Sequence, residues 1–219
     1  MKHDFWHNKW HKNEIGFHLA EANPLLVKHF SVLQLAPNSR IFLPLCGKTL
    51  DIDWLLAQGY QVVGAELSTI AVEALFSDLN LTPTITQIGK LNQYSSPQIT
   101  IWNGDVFELT QTLLGKVDAV YDRAALVALP EEMRKIYTEH LMRLTNKAPQ
   151  LLICFEYEQS VHAGPPFSIC ADEVKHHYQD AYDLTLLASD TLADGLKGKH
   201  PATEQVWWLK PLSLPIFKA

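Results

Sequence analysis

An α/β fold built on an open, mostly parallel sheet is what this sequence predicts, and three observations predict it. The first is the stretch from Ile41 to Leu67. There a short apolar run (Ile41-Phe42-Leu43-Pro44-Leu45) is followed by a small-residue turn (Cys46-Gly47), a helical pattern and a second apolar run (Val62-Val63-Gly64-Ala65). Runs of that length read as buried strands, and Ile52, Leu55 and Leu56 share one face of the helix between them, which Gly59 stops. The second observation is Glu66, the acid that closes the second run. Strand, glycine turn, helix, strand and acid open a nucleotide-binding βαβ unit, in which backbone N–H groups approach the ligand and a carboxylate about 20 residues on accepts from ribose hydroxyls. The third is that apolar runs and helical patterns keep alternating after Glu66, as a parallel sheet with crossover helices requires.

The elements follow in order. Residues 1–36 form a distinct leading part rich in aromatic residues, with Trp6 and Trp10 one helical turn apart, a spacing that by itself fits core packing. His7 and His11 share that spacing, but no carboxylate or cysteine cluster joins them, so no metal site is expected. Asn23-Pro24 turns the chain into a helix over Leu25 to Leu35, and Pro37-Asn38-Ser39 leads to the first strand. Ser68 is placed to cap a helix through Val72, Leu75 and Phe76. The stretch 82–103, rich in Thr, Gln and Ser with alternating apolar positions, reads as short strands or a hairpin, ending in the main strand Ile99 to Trp102. A fourth strand runs from Val117 to Arg123; Pro130, Glu131 and Glu132 then open a helix that reaches Leu144, since proline and acids favour a first turn. Leu151 to Phe155 is a fifth strand, Gly164-Pro165-Pro166-Phe167 a rigid loop, and Ala171 to Asp180 a helix capped near Asp172. Tyr182 to Ser189 and Glu204 to Lys210 close the sheet in antiparallel fashion around the segment 194–200.

Composition narrows the function. A chain of 219 residues, 47% hydrophobic, can bury a core as one domain. Its formal charge of −6 and the absence of a basic run argue against a nucleic-acid partner. No apolar stretch approaches the ~20 residues that span a bilayer, so no membrane partner is expected either. The start is polar and aromatic, unlike a signal peptide, and three cysteines (Cys46, Cys154, Cys170) make no disulfide framework; a cytoplasmic enzyme is the expectation.

Ligands of such sheets bind outside the carboxyl ends of the strands, where strand order reverses. That gathers Leu45-Cys46-Gly47, Glu66, Asp105-Val106 and Asp122-Arg123 around one crevice. The single glycine of Leu45-Cys46-Gly47-Lys48-Thr49 falls short of the G-x-G-x-x-G that seats a pyrophosphate, and no P-loop is present. A ligand with a ribose and no phosphate, such as S-adenosyl-L-methionine, fits better than a dinucleotide, and an NAD-type oxidoreductase is disfavoured.

Several segments together carry a family resemblance: Phe5-Trp6-His7-Asn8-Lys9-Trp10, Ile15-Gly16-Phe17-His18, the run from Pro44 to Leu55, Gly59 to Ser68, Tyr121 to Pro130, and Gly164 to Phe167. They resemble the thiopurine S-methyltransferase family, bacterial type, over essentially the whole chain from about Phe5 to Trp208. The resemblance implies a Rossmann-like class I methyltransferase fold: a mostly parallel seven-stranded sheet with an antiparallel strand and helices on both faces, in one domain whose residues 1–36 are a lid over the active site. It implies cofactor contacts from Trp10, Leu45, Glu66 and Arg123, with Asp105 and Val106 near the adenine, and an acceptor side formed by Phe17, Pro166 and Phe167. Arg123 would close the cofactor pocket or orient an anionic acceptor, and Asp122 is the candidate to accept an acceptor's proton. The acceptor would be a small-molecule thiol, or a selenium or tellurium species handled by the same pocket, and the product S-adenosyl-L-homocysteine, formed by a monomer. Direct transfer needs no covalent intermediate, so Cys46 is not expected to act as a nucleophile. Two departures stand beside Arg123: Tyr121 where a tryptophan is usual, and Ala124 where glycine is common. They bear on acceptor preference more than on cofactor binding.

Overall fold

A computed structural model of the chain describes residues 3–16 and 18–213. Among the described residues nine strands form one sheet. Those that carry the parallel core are β1 (Arg40–Leu43), β2 (Gln61–Glu66), β5 (Ile99–Asn103), β6 (Ala119–Arg123) and β7 (Gln150–Glu156). A hairpin of β3 (Thr84–Ile88) and β4 (Leu91–Ser96) extends one edge, and β8 (Tyr182–Thr191) and β9 (Thr203–Pro211) extend the other, in the order β3-β4-β5-β2-β1-β6-β7-β9-β8. β5, β2, β1, β6 and β7 pair in parallel, and the four outer pairings are antiparallel.

The seven-stranded expectation is therefore corrected to nine. The two additional strands lie in the Thr- and Gln-rich stretch, where Leu91 and Tyr94 bury themselves and β4 pairs along the full length of β5. The class itself, mostly parallel in its core with helices on both faces, is as expected. Along the central strands the side chains alternate between two cores. Ile41, Leu43, Tyr121, Leu151 and Ile153 face a layer formed by α2 (Pro24–His29), α3 (Asp51–Ala57) and α4 (Thr69–Asp78) through Leu26, Ile52, Leu55, Val72, Leu75 and Phe76. Phe42, Val120, Leu152 and Cys154 face α6 (Glu131–Leu144) and α7 (Ala171–Tyr178) through Tyr137, Leu141, Leu144, Val174 and Tyr178. Each fully buried aliphatic or aromatic side chain contributes about 1.5–3 kcal/mol, so both layers are needed.

Local chemistry explains the helix ends. Asn23 accepts from the Leu25 and Leu26 amides at 2.8 and 3.2 Å, with Pro24 opening α2. The expected helix to Leu35 ends earlier, passing into a 3₁₀ turn at Phe30–Leu33 that Gln34 stops in a left-handed conformation. Ser68 caps α4 through the Ala71 amide. α7 begins after Cys170, which makes no side-chain cap, and Asp172 lies inside its first turn rather than at the cap. The chain leaves β1 towards β2 and β5 on one side, then returns to place β6 and β7 on the other. Strand order thus reverses between β1 and β6, and the crevice opens at their carboxyl ends.

Candidate active site

At the carboxyl end of β1 the chain turns with Leu45 (φ 48°) and Gly47 (φ 54°) both left-handed. Leu45 has a side chain, so this conformation costs about 1–2 kcal/mol, and the bonds of the turn hold it there. Cys46 N–H donates to the Ala65 carbonyl at 3.0 Å, and Gly47 N–H donates to Glu66 Oε2 at 2.8 Å. The turn lies so close over β2 that a Cβ on Gly64 would meet Cys46 Sγ at 2.7 Å, which is why a glycine interrupts that apolar strand. Ser68 N–H donates to Glu66 Oε1 at 2.7 Å. Glu66 is buried; burial raises its carboxyl above the ordinary value, opposed by the Ser68, Gly47 and Leu67 amides. With each oxygen holding one amide, the carboxylate keeps acceptor capacity for two further donors, the pattern a vicinal diol presents.

β5 ends beside it. Asn103 Nδ2 donates to the carbonyls of Glu66 and Leu67 at 3.0 and 3.2 Å, and Thr69 Oγ1 donates to Asn103 Oδ1 at 2.9 Å. Asp105 accepts from the Phe107 amide at 3.0 Å and pairs with His3 Nε2 at 3.1 Å, while the buried Val106 has its carbonyl 2.9 Å from His140 Nε2. Asn103 thus ties the end of β5, with Asp105 and Val106 after it, to Glu66, and Leu45 lies in the turn that Glu66 holds.

The neighbours Asp122 and Arg123 point to opposite faces of β6. Asp122 is fully buried, accepting from the Leu126 amide at 3.1 Å and from the Tyr137 hydroxyl at 2.7 Å. Burial pushes its carboxyl up to about 6. Asp122, the residue expected to take an acceptor's proton, is held among core groups, because adjacent side chains on a strand alternate. Arg123, with a side chain 13% exposed, lies on the other face, its Nη1 3.4 Å from Asp51 Oδ2. Tyr121 donates its hydroxyl to the same oxygen at 3.0 Å, and Asn23 N–H donates to Asp51 Oδ1 at 2.7 Å. Glu204 on β9, its carboxyl raised by burial, has Arg123 as an opposing positive neighbour. Ala124 is left-handed (φ 60°), the conformation for which glycine is common there.

The leading part packs against α4 and reaches Asp105 through His3. In α1 (His3–His11) Trp10 is buried and Trp6 half-buried, and the helix leans on α4. Further along, His18 is a less ready proton acceptor than usual, first through burial and then through Lys48, and Arg123 and Asp51 also act on its ring. Across the crevice the loop 164–167 folds tightly. Phe167 N–H donates to Val127 O at 2.6 Å, Tyr157 donates to the Pro166 carbonyl at 2.7 Å, and a Cβ on the left-handed Gly164 would strike the Phe167 ring at 2.5 Å. Lys197, in the β8–β9 loop, donates to the Pro165 carbonyl at 3.2 Å, and burial and nearby Lys9 lower its proton affinity, so α1, this loop and 164–167 adjoin. Phe17, expected on the acceptor side, lies outside the described residues.

A cleft of about 420 Å³ lies elsewhere, at the amino ends of β6 and β7 between Gln111, Lys116, Asp118 and Asn146. It shares no residue with the crevice, and the chemistry-bearing strand ends are opposite. Among the described residues no cluster of three His, Cys, Asp or Glu suits a metal, and no helix is long and apolar enough to cross a membrane. Asp51 and Asn103 are neighbours of these residues that sequence reasoning did not single out. An acid in a first helical turn is ordinary for dipole reasons, which is how Asp51 escapes notice.

The family model described as Thiopurine S-methyltransferase (TPMT) matches residues 1–210. The chain belongs to the thiopurine S-methyltransferase family. It is 51% identical over 211 residues to the thiopurine S-methyltransferase of Xanthobacter autotrophicus, covering 96% of this chain and 99% of that one. It is 49% identical over 208 residues to that of Gluconobacter oxydans, covering 95% and 94%. Among solved structures, a 1,6-didemethyltoxoflavin-N1-methyltransferase of Burkholderia thailandensis, solved with that compound and S-adenosylhomocysteine bound, superposes with a TM-score of 0.64 at 13% identity, over 95% of this chain and 87% of that one. An S-adenosylmethionine-dependent methyltransferase of Anabaena variabilis gives 0.59 at 16% identity, over 96% and 95%. These likenesses establish the class I methyltransferase fold, and family membership implies S-adenosylmethionine as methyl donor.

Proposed function

We propose that this chain transfers a methyl group from S-adenosylmethionine to the sulfur of aromatic or heterocyclic thiols of the thiopurine kind, in the cytoplasm and without nucleic acid or membrane. The observation that carries the reading is that the family match spans the arm, the strand-end crevice and the loop 164–167 together. When bound, the cofactor supplies an activated methyl on a sulfonium. The residues present fit such a ligand: a buried carboxylate, Glu66, with spare acceptor capacity, beside a turn that lacks a phosphate cradle.

On this reading Glu66 accepts from the ribose hydroxyls, Leu45, Asp105 and Val106 border the nucleoside, and Trp10 closes over it. An aromatic face near a cation contributes about 0.5–2 kcal/mol. Arg123 closes the cofactor pocket or orients an anionic acceptor, and Pro166 and Phe167 wall the acceptor. A thiol that is substantially ionised near neutral pH needs no strong base, and the inward-facing Asp122 leaves alignment and water exclusion as the chain's main contributions. The residues 1–36, through α1, act as the lid. The test is turnover with S-adenosylmethionine and a panel of 6-mercaptopurine, thiophenol, selenite and tellurite, with products identified by mass. Methylated thiols are expected. Methyl transfer confined to selenite or tellurite would replace the acceptor class, and no transfer at all would overturn the reading.

A further inference from the structure

Asp51 opens α3, where an acid ordinarily stays in solvent beside the helix N-terminus, as the exposed Asp53 does two residues on. Asp51 instead is 1% exposed and gathers donors from three distant parts of the chain. Asn23 N–H meets Oδ1 at 2.7 Å, while the Tyr121 hydroxyl and Arg123 Nη1 meet Oδ2 at 3.0 and 3.4 Å. Asn23 is itself immobilised, because its own side chain caps α2. It is also where the segment that follows α1 joins the body of the fold, and His18 on that segment lies within the electrostatic reach of Arg123 and Asp51. One buried carboxylate therefore fastens the root of the arm and the Arg123 guanidinium. Removing one partner of a buried charge pair strands the other, so neither end can shift without disturbing its counterpart.

We propose that Asp51 is a positioning residue that couples the seating of the N-terminal arm to the orientation of Arg123, so that the acceptor site is assembled only when the arm is in place. This rests on the reading of Arg123 as part of the reaction pocket. The contacts of Glu66 involve none of these groups, so its own grip on the cofactor stands apart from this coupling.

The test uses the full-length chain with Asp51→Asn, Arg123→Lys and the double variant. Asparagine keeps the volume and an acceptor for the Asn23 amide, so the fold is retained, and Tyr121→Phe removes one donor while leaving the ion pair. Two readouts are taken: kcat/KM for 6-mercaptopurine together with Kd for S-adenosylhomocysteine, and the rate of tryptic cleavage after Lys9 and Lys12. Asp51→Asn is expected to lower kcat/KM by about tenfold or more, a larger change than in the S-adenosylhomocysteine Kd, which the Glu66 contacts still support. Cleavage of the arm should quicken several-fold in both single variants, and the double variant should be no worse than the worse single one in either readout. Tyr121→Phe should have the smaller effect. Losses that multiply in the double variant would reduce Asp51 to an independent structural group. Turnover within about twofold of wild type, with cleavage unchanged, would overturn the coupling. If wild type methylates no thiol, the functional reading fails, and the cleavage cycle still decides this inference.

Discussion

The two sides of the crevice are built from different materials. On the Glu66 side the strand ends of β1, β2 and β5 are locked by backbone amides and by Asn103, almost all of it buried. On the Phe167 side three loop segments meet through side-chain bonds to carbonyls: Tyr157 to Pro166, Lys197 to Pro165, and Gln159 Nε2 to the His162 carbonyl at 2.6 Å. There His162 and His200 stack with ring centroids 6.3 Å apart, and a small cluster of Tyr157, Leu196 and Ala202 is the local core. Sites held by strands are more exact than sites held by loops. The difference teaches a division of labour: the half read as the cofactor's is stiff enough for one fixed ligand, and the half read as the acceptor's can vary without disturbing it.

The largest break of that division would come from deleting residues 1–18. α1 contributes one buried side chain, Trp10, so the sheet and its two cores should survive with a cooperative unfolding transition. Methyl transfer should fall by about 100-fold or more, because alignment and water exclusion both depend on closure. Turnover close to that of the intact chain would show that the arm is no lid. Next in size is Glu66→Ala. Losing hydrogen bonds to a charged acceptor costs about 1.5–3 kcal/mol, so calorimetry should find the S-adenosylhomocysteine Kd raised about tenfold or more. The acceptor KM should hardly move if the two sides are independent. Glu66→Gln separates the lost charge from the stranded Gly47 and Ser68 amides, because it leaves one of them an acceptor. An unchanged Kd in both variants would remove Glu66 from the cofactor site.

The stiff half was legible in the sequence because its determinants are close together in the chain. Gly47 and Glu66 belong to one βαβ unit, and the alternation of Ile41, Phe42 and Leu43 between two cores follows from strand period alone. The edge hairpin was visible as alternating apolar positions in a stretch rich in Thr, Gln and Ser, but nothing local says that such a hairpin joins the main sheet; pairing with β5 does that. The loop half was less legible for the same reason. The meeting of Lys197 with Pro165, or of Asp51 with Asn23, Tyr121 and Arg123, spans 28 to 72 residues and leaves no periodic trace. Asp122 and Arg123 show the limit most clearly. Period two requires that they face opposite ways, yet a strand buried on both faces does not announce which face each one takes.

The smallest effect sharpens that last point, by asking whether Asp122 belongs to the core. Its carboxyl is lifted from 3.8 to about 6 by burial, against the Tyr137 hydroxyl and the Leu126 and Ala125 amides. In the unfolded chain the group ionises at its ordinary value, so between about pH 4 and 6 the folded state binds more protons than the unfolded one. Stability from this group therefore declines as pH rises through that window and levels off above it. Two units correspond to about 3 kcal/mol at most, or several degrees in a domain of this size. Asp122→Asn cannot titrate, and Glu66, whose carboxyl is also raised by burial, is present in both proteins and cancels in their difference. Thermal unfolding from pH 4 to 7 should thus show the variant gaining on wild type as pH rises, with turnover at pH 7.5 kept within about fivefold. A general base would give the same drift in stability and be told apart by turnover, which would fall by about 100-fold or more.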